Sequence, residues 1–293
     1  MSDLLGSVGR RRRAMTEERL RQFLDEDIGY GDITSEAVID GKLRARGRLF
    51  YKEEGVTAGL DEVAAIFDYL GCAVRILAEE GRRVPSGKVL IEIEGPARAL
   101  LAGERTALNL VGRMAGIATA TAEAVSRAKK VNPNVRVAAT RKTAPGLRDL
   151  DKRAVELGGG DTHRLKLDDC VLIKDNHLSF GYSISEAVER ARRGVSFTKK
   201  VEVETRSLEE ATEAVAAGAD IVMFDNLNPA EVRECLSALE ERGLRHRSLF
   251  EASGGITIEN VGEYAATGVD IVSMGCLTHS VRNLDVKLEI EPS

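Results

Sequence analysis

The second half of the chain repeats a pattern that few folds can accommodate, in which short apolar, β-branched runs alternate with helical segments. Beyond Pro133, six such runs begin at intervals of 20 to 36 residues. These intervals match strand–helix units of a parallel sheet. The runs are residues 135–140, 171–174, 200–204, 220–224, 249–252 and 270–274. The pattern predicts an α/β domain built on parallel strands.

Two nearly identical joints indicate the kind of parallel sheet. The sequence AGADIV at residues 217–222 recurs as TGVDIV at residues 267–272. This recurrence at equivalent helix-to-strand positions favours a barrel over a doubly wound dinucleotide-binding sheet, whose glycine fingerprint is also missing. Because six runs are fewer than the eight strands of a closed barrel, we predict an open or incomplete parallel β/α barrel.

The first third of the chain has a different texture, with shorter runs and frequent turns. Residues 31–95 carry three strand-like runs and one helical run, punctuated by glycine and proline. The strand-like runs are residues 45–51, 73–77 and 89–94, and the helical run is 59–70. This texture predicts an α+β sandwich domain ahead of the barrel.

The segments at the domain junctions are also informative. Two alanine-rich helical stretches, residues 97–111 and 117–130, are separated near Gly112 and Gly116 and are expected to lead into the barrel. Residues 284–290 alternate apolar and polar side chains, which is the period of a half-buried strand. We therefore expect the C-terminal strand to rejoin the N-terminal sheet. The predicted domains are residues 1–113 together with 280–293, and residues 114–279.

Composition excludes several classes of protein. The 293 residues include 42 Lys and Arg against 47 Asp and Glu, which fits neither a globally basic nucleic-acid binder nor a disordered polyelectrolyte. The basic run at residues 10–13 is interpreted as a solvated tail. No apolar run approaches the ~20 residues of a membrane-spanning helix. Four scattered cysteines without a CxxC pair, and no secretory signal, lead us to expect a reducing, cytoplasmic location.

Basic side chains are predicted to converge on one rim of the barrel. Functional groups of β/α barrels lie at the carboxyl ends of the strands. The early strands end at Arg141, Lys142 and Lys174, and Arg164 follows a run of three glycines. Because like charges repel, this convergence indicates a strongly anionic ligand. His163 either donates to a ligand oxygen or forms a hydrogen bond within the barrel mouth.

The later strands end in acids and then in glycines. Glu204 and Asp225 either hold Mg²⁺ through oxygen and water ligands or form salt bridges. A Ser-Gly-Gly turn at 253–255 opens onto Thr257. Free backbone N–H groups there, at the start of a helix, would hold a phosphate group. The alternative is a plain tight turn.

Several longer motifs follow one another along the chain. They are ERTALN at 104–109, TRKTAPGLR at 140–148, GGGDTHR at 158–164, LIKDNH at 172–177, VEVE at 201–204, FDN at 224–226, EASGG at 251–255 and GCLTHS at 275–280. This set resembles the quinolinate phosphoribosyltransferase family over nearly the whole chain. One departure is Asp161-Thr162, where the family pattern has asparagine beside the histidine.

The resemblance implies an activity, a cofactor and an assembly. A phosphoribosyl group would pass from 5-phosphoribosyl diphosphate to the ring nitrogen of quinolinate, and one carboxylate would then be lost. The products would be nicotinate mononucleotide, diphosphate and CO₂, on the de novo route to NAD. Mg²⁺ is the implied cofactor. A homodimer or a dimer-based hexamer is implied because Arg105 would come from a neighbouring subunit.

The resemblance also implies a role for each matching residue. The carboxylates of quinolinate would be bound by Arg105, Arg141, His163 and Arg164, with Thr140 in the same site. The predicted catalytic residues are Lys142 and Lys174, between the two substrates, together with Glu204 and Asp225. These two acids would also hold the ribose and the magnesium ion, directly or through water. The 5-phosphate would be bound by Ser253, Gly254, Gly255 and Gly275.

Three other functions stay open at this point. A related phosphoribosyltransferase for another aromatic acid is disfavoured, because a monoacid does not need so many arginines. A Schiff-base aldolase is possible chemically, since Lys174 ends a barrel strand and a desolvated lysine can be nucleophilic. A non-enzymatic sensor of pyridine dicarboxylates would share the motifs but show no turnover.

Overall fold

The computed structural model describes residues 15–293, so the basic run at residues 10–13 lies outside the described residues. The chain divides into two compact units. The first comprises the residues up to Gly116 together with Arg282–Ser293, and the second is Ile117–Val281. No helix in the described part of the chain is long and apolar enough to cross a membrane.

The first unit is an α+β structure around a four-stranded antiparallel sheet of order β12-β1-β5-β3. A two-stranded sheet, β2 with β4, accompanies it. The helix α3 packs on β3 and β5. The elements are α1 (Glu17–Ile28), α2 (Ile33–Val38), β1 (Arg44–Tyr51), β2 (Gly55–Val56), α3 (Leu60–Tyr69), β3 (Ala73–Ile76), β4 (Arg83–Val84), β5 (Val89–Pro96) and β12 (Val286–Pro292).

The C-terminal strand returns to the first sheet as predicted. The strand β12 pairs antiparallel with β1, and Leu288 lies opposite Leu49. Both leucines are buried, while their neighbours along each strand are more exposed. The alternation that predicted this strand therefore reflects one face against the core and one toward solvent.

The helix that follows β5 corrects one prediction. Two helical stretches were expected, with a break near Gly112 and Gly116, but α4 (Ala97–Val131) is continuous. A Cβ on Gly116 would lie 2.1 Å from the carbonyl oxygen of Arg282, and one on Gly112 would lie 3.1 Å from that of Leu284. The glycines therefore permit close approach of the C-terminal segment and do not interrupt the helix.

The second unit is the predicted open β/α barrel. Its six strands are parallel and lie in the order β6-β11-β10-β9-β8-β7. Within residues 15–293, β6 and β7 are not paired, so the sheet does not close. The elements are β6 (Arg136–Ala139), α5 (Arg148–Leu157), β7 (Val171–Ile173), α6 (Asp175–Leu178), α7 (Ile184–Gly194), β8 (Val201–Thr205), α8 (Leu208–Ala216), β9 (Ile221–Asp225), α9 (Pro229–Glu241), β10 (Leu249–Ser253), α10 (Val261–Ala265), β11 (Ile271–Met274) and α11 (Cys276–His279).

The two faces of this sheet carry different residues, because successive side chains of a strand point to opposite sides. One face packs on the helices in a single apolar core that includes Val203, Phe224 and Phe250. The residues that alternate with them include Glu204 and Glu251, which line a cavity. We call these the outer and inner faces of the barrel sheet.

Candidate active site

The carboxyl ends of the barrel strands surround a cavity of about 530 Å³. Its walls include every residue predicted for the site except Arg105 and Gly275. The predicted residues present are Thr140, Arg141, Lys142, His163, Arg164, Lys174, Glu204, Asp225, Ser253, Gly254 and Gly255. As predicted from the strand ends, residues at and after the carboxyl ends of β6 to β10 surround one cavity.

The two remaining predicted residues lie elsewhere. Gly275 precedes α11, and a Cβ at this position would lie 3.0 Å from the ring of His279 and 3.2 Å from Cδ of Lys142, so its smallness leaves room for both side chains. Arg105 belongs to the first unit, where it is exposed on α4. Its predicted contribution to the site of a neighbouring subunit stays a prediction.

Three cations of the cavity have no carboxylate partner among the described residues: Arg141, Lys142 and Arg164. The Nε atom of Arg141 is buried and has no hydrogen-bond partner. Burial lowers the pKa of the Arg141 guanidinium, and the positive charges of Arg164 and Arg148 lower it further. A buried, unpaired donor beside other cations is costly unless an anion accepts its hydrogen bond. The part of the cavity beside Arg141 is therefore suited to an anionic ligand.

Lys174 differs from those three because it forms a salt bridge with Glu204. The lysine follows β7 and the acid lies on β8, two strands that pair in the sheet. A lysine must be neutral to attack a carbonyl carbon, whereas a carboxylate partner stabilises its charged form. The pairing therefore disfavours the Schiff-base aldolase and fits a lysine that acts through its positive charge.

The second predicted acid, Asp225, is also held in a polar network. Its Oδ1 accepts from the Asn226 side chain at 2.9 Å, and Arg206 lies 3.5 Å from Oδ2. The same guanidinium pairs with Asp175 at 2.8 Å. Asn226 adopts the left-handed region, with φ of 59°, and its backbone N–H donates to the carbonyl of Ser253. These contacts fix the end of β9 against the end of β10.

Glu204 and Asp225 suit Mg²⁺ by chemistry, because this cation takes oxygen ligands and keeps several waters. Each acid already has a cationic neighbour, Lys174 or Arg206. The pair therefore fits a magnesium ion bound mainly by ligand oxygens and water, with the acids as outer partners. It does not fit a cage made of protein ligands alone.

The turn after β10 corrects another prediction. The backbone N–H of Thr257 is not free, because it donates to Oδ1 of Asn260 at 2.8 Å, and the helix begins only at Val261. In the described structure the amides of Gly254 and Gly255 donate to no protein acceptor. A Cβ on Gly254 would lie 2.2 Å from Oδ1 of Asn226. The candidate phosphate donors are thus the glycine amides rather than a helix start.

Beneath the cavity, His163, which was predicted for the site, meets two buried glutamates that were not. Nε2 of His163 lies 3.1 Å from Oε2 of Glu251 and 3.4 Å from Oε2 of Glu202. Both acids have fully buried side chains. Burial raises the pKa of Glu202. The sequence does contain a signal for this cluster: Glu202 and Glu251 are each a glutamate inside a strand, two residues before a predicted site residue and therefore on the same face of the sheet.

The models of two protein-family domains match most of the chain. They are the C-terminal domain of quinolinate phosphoribosyl transferase, over residues 117–289, and its N-terminal domain, over residues 32–115. The chain belongs to the quinolinate phosphoribosyltransferase family. The identification from sequence motifs is therefore confirmed.

This chain is similar to individual members of the family over most of their length. A probable nicotinate-nucleotide pyrophosphorylase (carboxylating) of Methanothermobacter thermautotrophicus is 46% identical over 271 residues, which cover 92% of this chain and 97% of that protein. The corresponding human protein is 39% identical over 254 residues, covering 87% and 85%. The crystal structure of NadC from Streptococcus pyogenes has a TM-score of 0.88 at 35% identity, covering 96% of this chain and 100% of that one.

The structure also explains how this family member accommodates Asp161-Thr162. Oδ1 of Asp161 accepts the backbone N–H of His163 at 2.9 Å, and Oδ2 accepts from Arg136 at 3.2 Å. The buried ammonium of Lys152 donates to the carbonyl of Thr162. Burial lowers the pKa of Lys152 to about 8, and nearby Arg148 adds to the effect. Asp161 thus supports the loop through the same short-range backbone contact that an asparagine oxygen can make.

Proposed function

We propose that this protein transfers the phosphoribosyl group of 5-phosphoribosyl diphosphate to the ring nitrogen of quinolinate and that decarboxylation follows. The observation that carries the proposal is the group of three cations without a carboxylate partner, one with a buried and partnerless Nε, that line one cavity. Family membership names a substrate that suits this group, because quinolinate presents two adjacent carboxylates.

The acceptor end of the cavity would distinguish a dicarboxylate from a monoacid. The guanidiniums of Arg141 and Arg164 can each form paired hydrogen bonds with a carboxylate. With only one carboxylate present, one guanidinium would remain without a carboxylate partner. We therefore assign quinolinate to this end, with Thr140 and His163 beside it.

The donor would occupy the other end. Gly254 and Gly255 offer free amides for the 5-phosphate, and Glu204 and Asp225 offer acceptors for the ribose hydroxyl groups. Mg²⁺, which we propose to lie against these two acids through water, supplies positive charge to the diphosphate when bound. Lys142 and Lys174 add fixed positive charge between the two substrates.

The reaction then needs orientation and charge stabilisation more than covalent help from the protein. The lone pair of the ring nitrogen forms the bond to C1 of the ribose while the C1–O bond breaks, and diphosphate leaves with that electron pair. Lysine ammonium groups stabilise the charge that develops on the leaving group. In the resulting pyridinium, the bond to the carboxylate beside the nitrogen breaks. CO₂ departs, the electron pair stays on the ring carbon, and a proton from water replaces the carboxylate.

Assembly and location complete the proposal. We propose a homodimer, or a hexamer built from dimers, in which Arg105 of one subunit reaches the cavity of its partner. We also propose a cytoplasmic location, because four free cysteines suit a reducing compartment.

A turnover assay tests the proposed function. Quinolinate labelled in the carboxylate beside the nitrogen is incubated with 5-phosphoribosyl diphosphate and Mg²⁺, and CO₂ and diphosphate are measured together. We expect equal amounts of both, and no diphosphate release when nicotinate replaces quinolinate. Turnover of nicotinate at the same rate would contradict the assignment of a dicarboxylate acceptor.

A further inference from the structure

The buried cluster under the cavity holds His163 from two sides. Glu202 lies on β8 and Glu251 on β10, and the strand β9 lies between them in the sheet. Both carboxylates meet the same ring nitrogen, Nε2. The imidazole therefore has only Nδ1 left for another partner.

The backbone of His163 is also held in place. Its φ is +53°, a region that non-glycine residues seldom adopt unless their surroundings hold them there. The carboxylate of Asp161 accepts its N–H group, and the side chain of Thr162 donates to its carbonyl oxygen. A residue held through backbone and ring alike has a fixed direction in which its free nitrogen can act.

Two cavities meet at this cluster. His163 and Glu251 line the substrate cavity, whereas Glu202 lines a second cavity of about 370 Å³ near the amino ends of the strands. His163 lines both. The cluster therefore forms part of the floor beneath the substrate.

We propose that Glu202 and Glu251 are positioning residues that hold His163 as an imidazolium, so that its Nδ1–H donates to a carboxylate of the acceptor substrate. This inference rests on the proposed function for the identity of that substrate. The two acids act through the histidine, since their own side chains are fully buried.

Charge supports this arrangement. Burial by itself would lower the pKa of His163, but the interactions of the ring with the carboxylates of Glu202 and Glu251 outweigh it and raise the pKa to about 10. These two acids are the titratable groups that face the ring from the sheet, and Arg164 follows it in the chain. Arg141 and Arg164 line the same cavity, and the two buried carboxylates offset the positive charge that His163 adds to it.

The same three side chains could in principle bind a metal ion, since their ligand atoms lie within 4.8 Å of one another. A metal would require a bare Nε2 as its ligand. Nε2 instead forms a hydrogen bond with Oε2 of Glu251 at 3.1 Å, which requires a proton on this nitrogen when the glutamate is ionised, and Glu202 at 3.4 Å is an ion-pair partner. We therefore favour the imidazolium, and the metal becomes an outcome of the test.

The first experiment observes His163 directly in the intact protein without substrate. Imidazole ¹⁵N resonances are followed from pH 6 to pH 9, and the signal of His163 is identified by its loss in His163→Asn. We expect the wild-type ring to stay charged throughout, and the ring in the double variant Glu202→Gln, Glu251→Gln to be largely neutral over this range, because burial by itself lowers the pKa of His163 below its ordinary value of about 6.5. A neutral His163 at pH 7.5 in the wild type overturns the proposal, as does stoichiometric bound metal that the double variant loses.

The second experiment measures kinetics of the same variants, with Glu62→Gln as a control for the loss of a buried acid outside the barrel unit. At pH 8 we expect the quinolinate KM of the double variant to rise roughly 10- to 100-fold, with less than about a threefold change in the donor KM. Below pH 6, where solvent begins to protonate the freed histidine, the quinolinate KM should fall back toward the wild-type value. A KM change that is equal for both substrates, or that is independent of pH, overturns the proposal. If the wild type does not turn over quinolinate, the proposed function fails, while the resonance experiment still tests the cluster.

Discussion

The barrel sheet presents two faces of opposite character on the same six strands. On β10, Phe250 belongs to the apolar outer face, and the next residue, Glu251, lines the cavity of the inner face. The strand β8 shows the same change between Val203 and Glu204. Alternate positions of one strand thus serve two purposes: the outer set holds the helices, and the inner set determines which ligand the cavity accepts.

The two faces should also respond differently to mutation. Burial of the outer residues stabilises the folded protein, and truncating one of them leaves a destabilising cavity. On the inner face, the buried guanidinium of Arg141 loses solvation beside Arg164 and Arg148 without a carboxylate partner, so removing it relieves repulsion. We expect outer variants to lose stability and inner variants to lose ligand affinity.

The largest effect is expected on the outer face. Phe250 is fully buried and stacks on Phe224 with ring centroids 5.8 Å apart. Phe250→Ala should reduce the free energy of unfolding by about 3–5 kcal/mol, as measured by denaturant titration. The control is Leu249→Ala on the same strand, because Leu249 is 39% exposed and should lose less than about 1 kcal/mol. Equal losses in the two variants would contradict the assignment of the faces.

The next effect is on the inner face. Arg141→Ala should weaken quinolinate binding by about 1.5–3 kcal/mol, the range for a hydrogen bond to a charged group. The free energy of unfolding should stay the same or increase, because Arg141 is partly buried beside Arg164 and Arg148 and no carboxylate offsets it. Calorimetric titration and denaturant unfolding of one preparation measure both. A large loss of stability with unchanged binding would show that the guanidinium has a structural role.

A pH dependence separates His163 from the unpaired cations. Its pKa is raised from about 6.5 in the unfolded chain to about 10 in the folded protein. Its contribution to stability is therefore complete below pH 6.5 and is lost as the pH rises through 10. His163→Asn should be about 1.5 kcal/mol less stable than the wild type at pH 6, and this difference should shrink steadily toward pH 10. A difference that is constant over this range would contradict the ion pairing.

Arg105 offers a smaller effect that tests whether the inner face is a complete site. It lies on α4 and not on the barrel sheet. If a partner subunit supplies it, mixing inactive Arg105→Ala with inactive Lys174→Ala should restore activity, because a mixed dimer has one intact site. Random exchange makes half of the dimers mixed, so recovery should reach about a quarter of the wild-type activity. No recovery despite demonstrated subunit exchange would place the action of Arg105 within its own chain.

The strands of the barrel and the residues at their carboxyl ends were accessible from sequence because they depend on local patterns. Apolar β-branched runs predict strands, and strand ends predict where Glu204 and Asp225 lie. The contacts between side chains of different strands were not accessible from sequence, since strand register and sheet curvature determine them. Lys174 and Glu204, which form a salt bridge, are 30 residues apart in sequence. The approach of Glu202 and Glu251 to one histidine depends on the relative positions of β8, β10 and the loop that carries His163.

Two corrected details have the same origin. Gly112 and Gly116 predict a helix break when only local propensity is considered, but their reason is the C-terminal segment that packs on them. The N–H of Thr257 is expected to be free at a helix start, until the structure shows the Asn260 side chain accepting from it. In both cases the deciding contact is made by a residue that the local pattern does not reveal.

The central claim is that the unpaired cations of the inner face select a ligand with two carboxylates. Calorimetric titration of the wild-type protein, without donor, with quinolinate and then with nicotinate tests it most directly. We expect quinolinate to bind at least about tenfold more tightly, since loss of one carboxylate removes a charge-assisted contact worth about 1.5 kcal/mol or more. Equal affinities for the two acids would contradict the claim.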